Sequence, residues 1–347
     1  MSFKKLTSLA LEFSYSADLK KSEFKILDQT LLPFEEKWLI VDTLSQMVEI
    51  IQSLRVRGAP LIGVSASLML AKLAIENKSQ ADLLKAATEL YESRPTAVNL
   101  MVCIDRMRVV LNSKFSLENV VQEAVAIFDE DVQLCERMAT NGAALIVDGD
   151  QILTHCNTGG LATAGVGTAL GVIAKAHAQG KKIHVYVDET RPLLQGGRLT
   201  TWELQKLKIP YTLITDNMAA QLMSLKKITK AIVGSDRIAA NGDFANKIGT
   251  YSVAVNCHYH GIPFYAAAPY TTVDPTCASG ELIPIEQRNP SEVLGVKGHF
   301  GSVQWAPLES KVYNPSFDVT PAKLVAAWIL DRAVYTQKDV DAGVFTK

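Results

Sequence analysis

Two residues stand where a chain of this kind would place its chemistry. Cys156 lies in Ile152-Leu-Thr-His-Cys-Asn-Thr-Gly-Gly-Leu161, where an apolar run ends in polar residues and then a glycine pair. Asp236 lies in Ala231-Ile-Val-Gly-Ser-Asp-Arg-Ile-Ala-Ala-Asn-Gly-Asp243, where another apolar run delivers a carboxyl group. A thiol before a glycine turn and a helix start is suited to act as a thiolate, because unpaired N–H groups and the helix dipole favour negative charge. A carboxyl group among apolar residues suits a general acid. The competing readings are a buried inert thiol for Cys156 and, for Asp236, a carboxylate neutralised by Arg237 or capping a turn. His155 precedes the thiol, but neighbours on a strand point to opposite faces, so these two do not form a dyad.

A second group of residues suits an anion. Arg57-Gly58-Ala59-Pro60 and Arg94-Pro95 place a guanidinium where proline opens a helix, an arrangement fitted to phosphate. Asn246-Lys247 is expected to open a further helix that stops at Gly261. In Arg191-Pro-Leu-Leu-Gln195-Gly-Gly197 the glycines permit close backbone approach, and Gln195 can donate and accept hydrogen bonds to a sugar. His258 and His260 diverge on a helix without an acidic partner, so no metal site is expected.

The elements that must position these groups follow from hydrophobic pattern. Up to about Asp42, runs such as Glu23–Leu27 and Trp38–Val41 read as strands of a small antiparallel sheet. Helices are expected over Leu61–Ile75, Ala81–Tyr91 and Leu117–Met138, the last capped by Ser116. After a boundary near 147/148, strands are predicted at Ile152–His155, Ile183–Val187, Tyr211–Ile214, Ala231–Val233 and Phe264–Ala267. Helices near Ala162–Ala178, Thr201–Leu207, Ala219–Leu225 and Lys247–His260 alternate with them, which puts Gly165-x-Gly167 inside a helix, and Pro321–Val334 reads as a closing helix. The expected fold is therefore α/β: a Rossmann-like, doubly wound parallel sheet over residues 148–347, and a smaller mixed, mostly helical domain over residues 1–147 carrying the antiparallel sheet.

Composition narrows the function classes. A net charge of -1 gives no electrostatic reason for a nucleic acid or anionic membrane partner, and 48% hydrophobic with 20% charged residues suits a large-cored globular protein. Five scattered cysteines without Cys-x-x-Cys spacing fit a reducing cytoplasm better than a disulfide framework or structural zinc. No Gly-x-Gly-x-x-Gly follows the first parallel strand, which weakens a nicotinamide cofactor.

Taken together, Arg57–Gly63, Arg94–Asn99, Thr154–Thr163, Asp188–Gly197, Gly234–Asp243, Asn246–Tyr251 and Val312–Pro321 strongly resemble the methylthioribose-1-phosphate isomerase family, over almost the whole chain. The resemblance implies an aldose–ketose isomerase of methionine salvage that acts on a phosphorylated pentose as a homodimer, without redox cofactor or required metal. It implies Asp236 as proton donor and Cys156 as the second catalytic group, with substrate contacts at Arg57, Gly58, Ala59, Arg94, Gln195, Asn246 and Lys247. Two alternatives accompany it: a 5-deoxyribose-1-phosphate isomerase, and a non-catalytic relative of the regulatory subunits of the translation-initiation guanine-nucleotide exchange factor.

Overall fold

A computed structural model describes residues 2–94, 98–299 and 301–346, which divide into two compact units: Met1–Leu134 with Gly160–Gly165, and Cys135–Gly159 with Val166–Lys347. In the first unit, strands Phe3–Thr7, Leu11–Ser16, Ser22–Leu27 and Trp38–Ile40 form an antiparallel sheet in sequence order. Helices Leu44–Gln52, Ala59–Ile75, Gln80–Glu92 and Val98–Ser113 follow, and Leu117–Ala143 begins there. Local chemistry sets the helix starts: Thr43 with Gln46 and Ser79 with Asp82 form capping boxes, and Ser116 Oγ accepts the Asn119 amide as expected. Every residue from Leu61 to Ile75 is buried, which explains why this helix is rich in small and apolar residues and lacks a polar face. Gly63 lets the helix Val98–Ser113 approach closely, since a Cβ there would fall 2.7 Å from Cys103 Sγ.

The second unit is built on a seven-stranded sheet. Its order is Val334–Tyr335, Ala327–Ile329, Phe264–Ala267, Lys230–Val233, Gln151–Thr154, His184–Asp188 and Tyr211–Ile214, parallel except at the Val334–Tyr335 edge. The expected α/β class and parallel core are thus present. The chain winds outward from Gln151–Thr154 in one direction and returns to place Lys230–Val233 on its other side. The switch point lies between those two strands, where loops leaving in opposite directions open a crevice beyond the carboxyl ends. A second sheet, unforeseen in the sequence, orders Val273–Asp274, Arg237–Ala239, Phe244–Lys247 and Phe317–Thr320. A hairpin pairs Gly295–Gly298 with Gly301–Gln304.

Three expected helices differ. The helix expected from Ala162 begins at Ala169, and Gly165 and Gly167 lie in the loop before it. Gly167 has φ +95° and abuts Gly159, so it closes a loop there. The helix expected from Lys247 begins at Thr250, because Phe244–Lys247 pairs with Phe317–Thr320 as a strand. Pro321–Val334 is not a helix: a 3-10 turn at Ala322–Leu324 leads into the fully buried strand Ala327–Ile329, which pairs with Tyr265–Ala267. An apolar run buried on both faces has no periodicity to separate strand from helix.

Candidate active site

The site in the second unit is assembled on the two strands that flank the switch point. Cys156 follows Gln151–Thr154 by two residues and Asp236 follows Lys230–Val233 by three, so both stand at the carboxyl ends of neighbouring parallel strands. Thr154 Oγ1 donates to the Ile232 carbonyl at 2.9 Å and ties the strand ends together. Beyond them the two turns touch: a Cβ on Gly234 would lie 2.6 Å from Thr158 Cγ2, so glycine is required for that approach. Asp236 is half-buried and its amide donates to the Ala245 carbonyl, while the Arg237 guanidinium reaches Asp274 at 3.4 Å.

Cys156 is 7% exposed and adopts φ +66°, a left-handed conformation that L-residues with a Cβ seldom occupy. The turn does not run directly into a helix as the sequence suggested. Instead the loop returns, Thr168 N donates to the Thr158 carbonyl, and Thr158 Oγ1 accepts the Leu170 amide at 3.2 Å, bringing this turn to the N-terminus of Ala169–Ala178.

His155, just past the strand end, is buried in a polar network. Its Nδ1 lies 2.9 Å from Asp188 Oδ2 and its Nε2 2.8 Å from the Ile248 carbonyl, both acceptors of ring N–H groups. Burial opposes the imidazolium, but Asp188 outweighs it and holds the ring up at about 9. Asp188 is pushed up by its own burial and drawn back by His155. Asp188, His155 and Asp216 bring potential metal-ligand atoms within 4.8 Å of one another. The Asp216 oxygens accept the Thr190 and Arg191 amides and Asp188 Oδ2 is paired with His155, while Asp188 Oδ1 is buried without a hydrogen bond.

Gln195 is 2% exposed, with Oε1 lacking a hydrogen-bond partner, and Asn157 Oδ1 is likewise buried without one. Asn157 Nδ2 donates to Glu203 Oε1 at 2.7 Å. Gly196 could be nothing but glycine, because a Cβ would sit 1.7 Å from the Asp188 carbonyl oxygen. Asn246 and Lys247 end a strand rather than open a helix; Asn246 Nδ2 donates to Thr250 Oγ1, and Lys247 Nζ donates to the Ser316 carbonyl at 2.5 Å over the Phe317 ring. Arg191 is committed elsewhere, donating to the carbonyls of Pro192 and Glu292 and stacking on Trp305.

The remaining expected contacts lie in the first unit. Gly58 caps Ala59–Ile75 with φ +89°, and a Cβ on it would strike the Ala162 backbone at 2.5 Å. Arg57 precedes it and Ala59 is the first helical residue. Arg94 is partly buried; Pro95, which was expected to open the next helix, lies outside the described residues together with residues 96 and 97. Sequence reasoning did not single out Thr190, Thr200 or Glu203, whose hydroxyls and carboxyl bond the Cys156–Asn157 segment. Their only signal was position: Thr190 follows a predicted strand, and the other two lie at a predicted helix start.

The chain thus combines a mostly parallel α/β sheet with a thiol and a carboxyl group just beyond the two strands that flank its switch point. Residues 55–336 match the Initiation factor 2 subunit family, and the chain belongs to it. It is 58% identical over 330 residues to the methylthioribose-1-phosphate isomerase of Yersinia pestis (strain Pestoides F), covering 95% of each chain. The same identity over 330 residues relates it to the methylthioribose-1-phosphate isomerase of Klebsiella pneumoniae (strain 342), covering 95% and 96%. Among solved structures, 5-methylthioribose 1-phosphate isomerase from Pyrococcus horikoshii OT3 superposes with a TM-score of 0.84 at 40% identity, covering 97% of both chains. The translation initiation factor eIF-2B delta subunit from A. fulgidus gives 0.81 at 39% identity, covering 94% of this chain and 98% of that one. Among the described residues, no helix is long and apolar enough to cross a membrane.

Proposed function

We propose that the chain is an aldose–ketose isomerase that converts 5-methylthioribose 1-phosphate to 5-methylthioribulose 1-phosphate in methionine salvage. The observation that carries this reading is a thiol and a carboxyl on the two strands flanking the switch point, in a chain so similar to proteins named for that activity. Phosphate on the anomeric oxygen denies the substrate a free aldehyde, so the ring must first be opened by acid. Asp236 gives its proton to the ring oxygen as the bond from C1 to that oxygen breaks. Hydrogen then moves from C2 to C1 while the C2 hydroxyl becomes the ketone, and its proton restores the carboxyl. Cys156 serves this transfer in one of two ways. As a thiolate it carries the C2 proton to C1 through an enediol-like intermediate, or it stabilises the reacting hydroxyl during a hydride shift.

The buried acceptors Gln195 Oε1 and Asn157 Oδ1 fit donors such as sugar hydroxyls. Arg57, Arg94 and Lys247 are the cations of the phosphate in this reading, with Gly58, Ala59 and Asn246 as further contacts. A homodimer in a reducing cytoplasm belongs to the same proposal, and the five free thiols suit that compartment. Likeness to the A. fulgidus subunit supports a second, non-catalytic reading, which gives the thiol and carboxyl no task. The test is turnover by the purified chain of 5-methylthioribose 1-phosphate beside 5-deoxyribose 1-phosphate. A higher kcat/KM for the methylthio sugar supports the proposal. Preference for the deoxy sugar moves the assignment to that substrate, and inertness toward both favours the second reading.

A further inference from the structure

We infer that Thr190 and Thr200 are positioning residues for Cys156, two hydroxyls that grip its backbone from either side and hold the thiol in a left-handed conformation. The inference rests on the isomerase reading for its consequence, but the geometry is independent of it. Cys156 has φ +66°, a region where its Cβ crowds the following carbonyl, and such a residue persists only when its surroundings over-determine it.

The surroundings do so at both peptide groups. The Cys156 amide donates to Thr190 Oγ1 at 2.8 Å, and that hydroxyl donates in turn to the Asp188 carbonyl at 3.1 Å. On the other side, Thr200 Oγ1 donates to the Cys156 carbonyl at 2.6 Å and accepts from Asn157 Nδ2 at 3.3 Å. Both threonines are buried, at 0% and 1% exposure, so water does not replace either hydroxyl when it is removed.

Each threonine is itself held. Thr190 has φ +64°, and its amide and that of Arg191 donate to the two Asp216 oxygens at 2.8 and 2.7 Å. Thr200 closes the π-turn Gly196–Thr200, which Thr201 N completes by donating to the Gly196 carbonyl, directly after Gln195. The clamp therefore joins the thiol to the ends of two neighbouring strands and to the loop that carries Gln195. The hydroxyls act through the Cys156 backbone and touch no substrate.

Thr200→Val keeps the shape and removes the hydroxyl, whereas Thr200→Ser keeps the hydroxyl; Thr190→Val and Thr190→Ser form an independent pair should one valine variant not fold. Each folded variant is assayed for kcat and KM, and for the rate at which iodoacetamide alkylates Cys156, followed by peptide mass spectrometry. We expect the valine variants to lose about tenfold or more in kcat with KM within about threefold, and the serine variants to recover most of it, as a misplaced reacting group predicts. Alkylation of Cys156 should change by about threefold or more in the valine variants and return in the serine ones. Valine variants with wild-type kcat and alkylation, or serine variants as impaired as the valine ones, would overturn the clamp. If the wild-type chain turns over neither sugar, the isomerase reading fails and the alkylation rates alone decide the clamp.

Discussion

His155 and Asp188 form a buried pair, each side chain 1% exposed, with the ring also bonded to the Ile248 carbonyl. One imidazole thus links the strand end beside Cys156 to the neighbouring strand and to the segment after Lys247. Its pKa of about 9 lies above the ordinary 6.5. The contribution of the charged ring is therefore fully present below pH 6.5 and is lost as pH rises through about 9. Urea unfolding should show stability falling between pH 6.5 and 9.5 in the wild type and much less in His155→Phe. Equal pH slopes in the two proteins would remove the pair from the stability of the fold.

Asp131, in the first unit, predicts the opposite benefit from neutralisation. It accepts the Ala164 amide at 2.6 Å, and burial pushes its carboxyl up to about 6. The folded state holds that proton more tightly than the unfolded chain, so stability is highest below about 3.8 and declines as pH rises through 6. Asp131→Asn keeps the acceptor and removes the charge. It should raise thermal stability at pH 7.5, by about 3 kcal/mol at most, with the gain fading toward pH 4. Lower stability than wild type at pH 7.5 would contradict this.

Two adjacent glycines should behave differently. A Cβ on Gly196 meets the Asp188 carbonyl at 1.7 Å, whereas one on Gly197 finds nothing nearer than 3.8 Å. Gly196→Ala should therefore destabilise by more than about 3 kcal/mol or fail to fold, while Gly197→Ala stays within about 1 kcal/mol of wild type. Denaturant midpoints check both, and equal effects would mean that the close approach is not constraining.

Lys247 is 8% exposed, lies over Phe317 and donates to the Ser316 carbonyl. Lys247→Met retains the apolar stem and removes the charge. If this ammonium meets the phosphate, KM should rise by about thirtyfold, or roughly 2 kcal/mol, with a smaller change in kcat. An unchanged KM would take Lys247 out of the phosphate site.

Much of this architecture was legible where one physical signal dominated. Short apolar runs ending in polar residues marked the parallel strands, and the strand Tyr211–Ile214 has the expected bounds. Ser116 marked its helix start through cap chemistry. Reading failed where tertiary pairing overrode local pattern. Phe244–Lys247 is a strand because Phe317–Thr320 lies beside it, more than 60 residues away in sequence. Ala327–Ile329 is a strand because it finishes the parallel sheet, although its apolar neighbours resemble a helix. Cys156 and Asp236 could be placed at strand ends from the apolar runs before them, and they do follow two neighbouring parallel strands. Thr190 and Thr200 could not, because their task is a hydrogen bond to another residue's backbone, which leaves no pattern in the chain.

The most direct measurement is turnover of 5-methylthioribose 1-phosphate by the wild type, Cys156→Ala and Asp236→Asn, with folding and sugar binding checked in each. The account predicts that each substitution lowers kcat by about a hundredfold or more while binding is largely kept. Near-normal kcat in either folded variant would contradict the central claim that this thiol and this carboxyl carry the reaction.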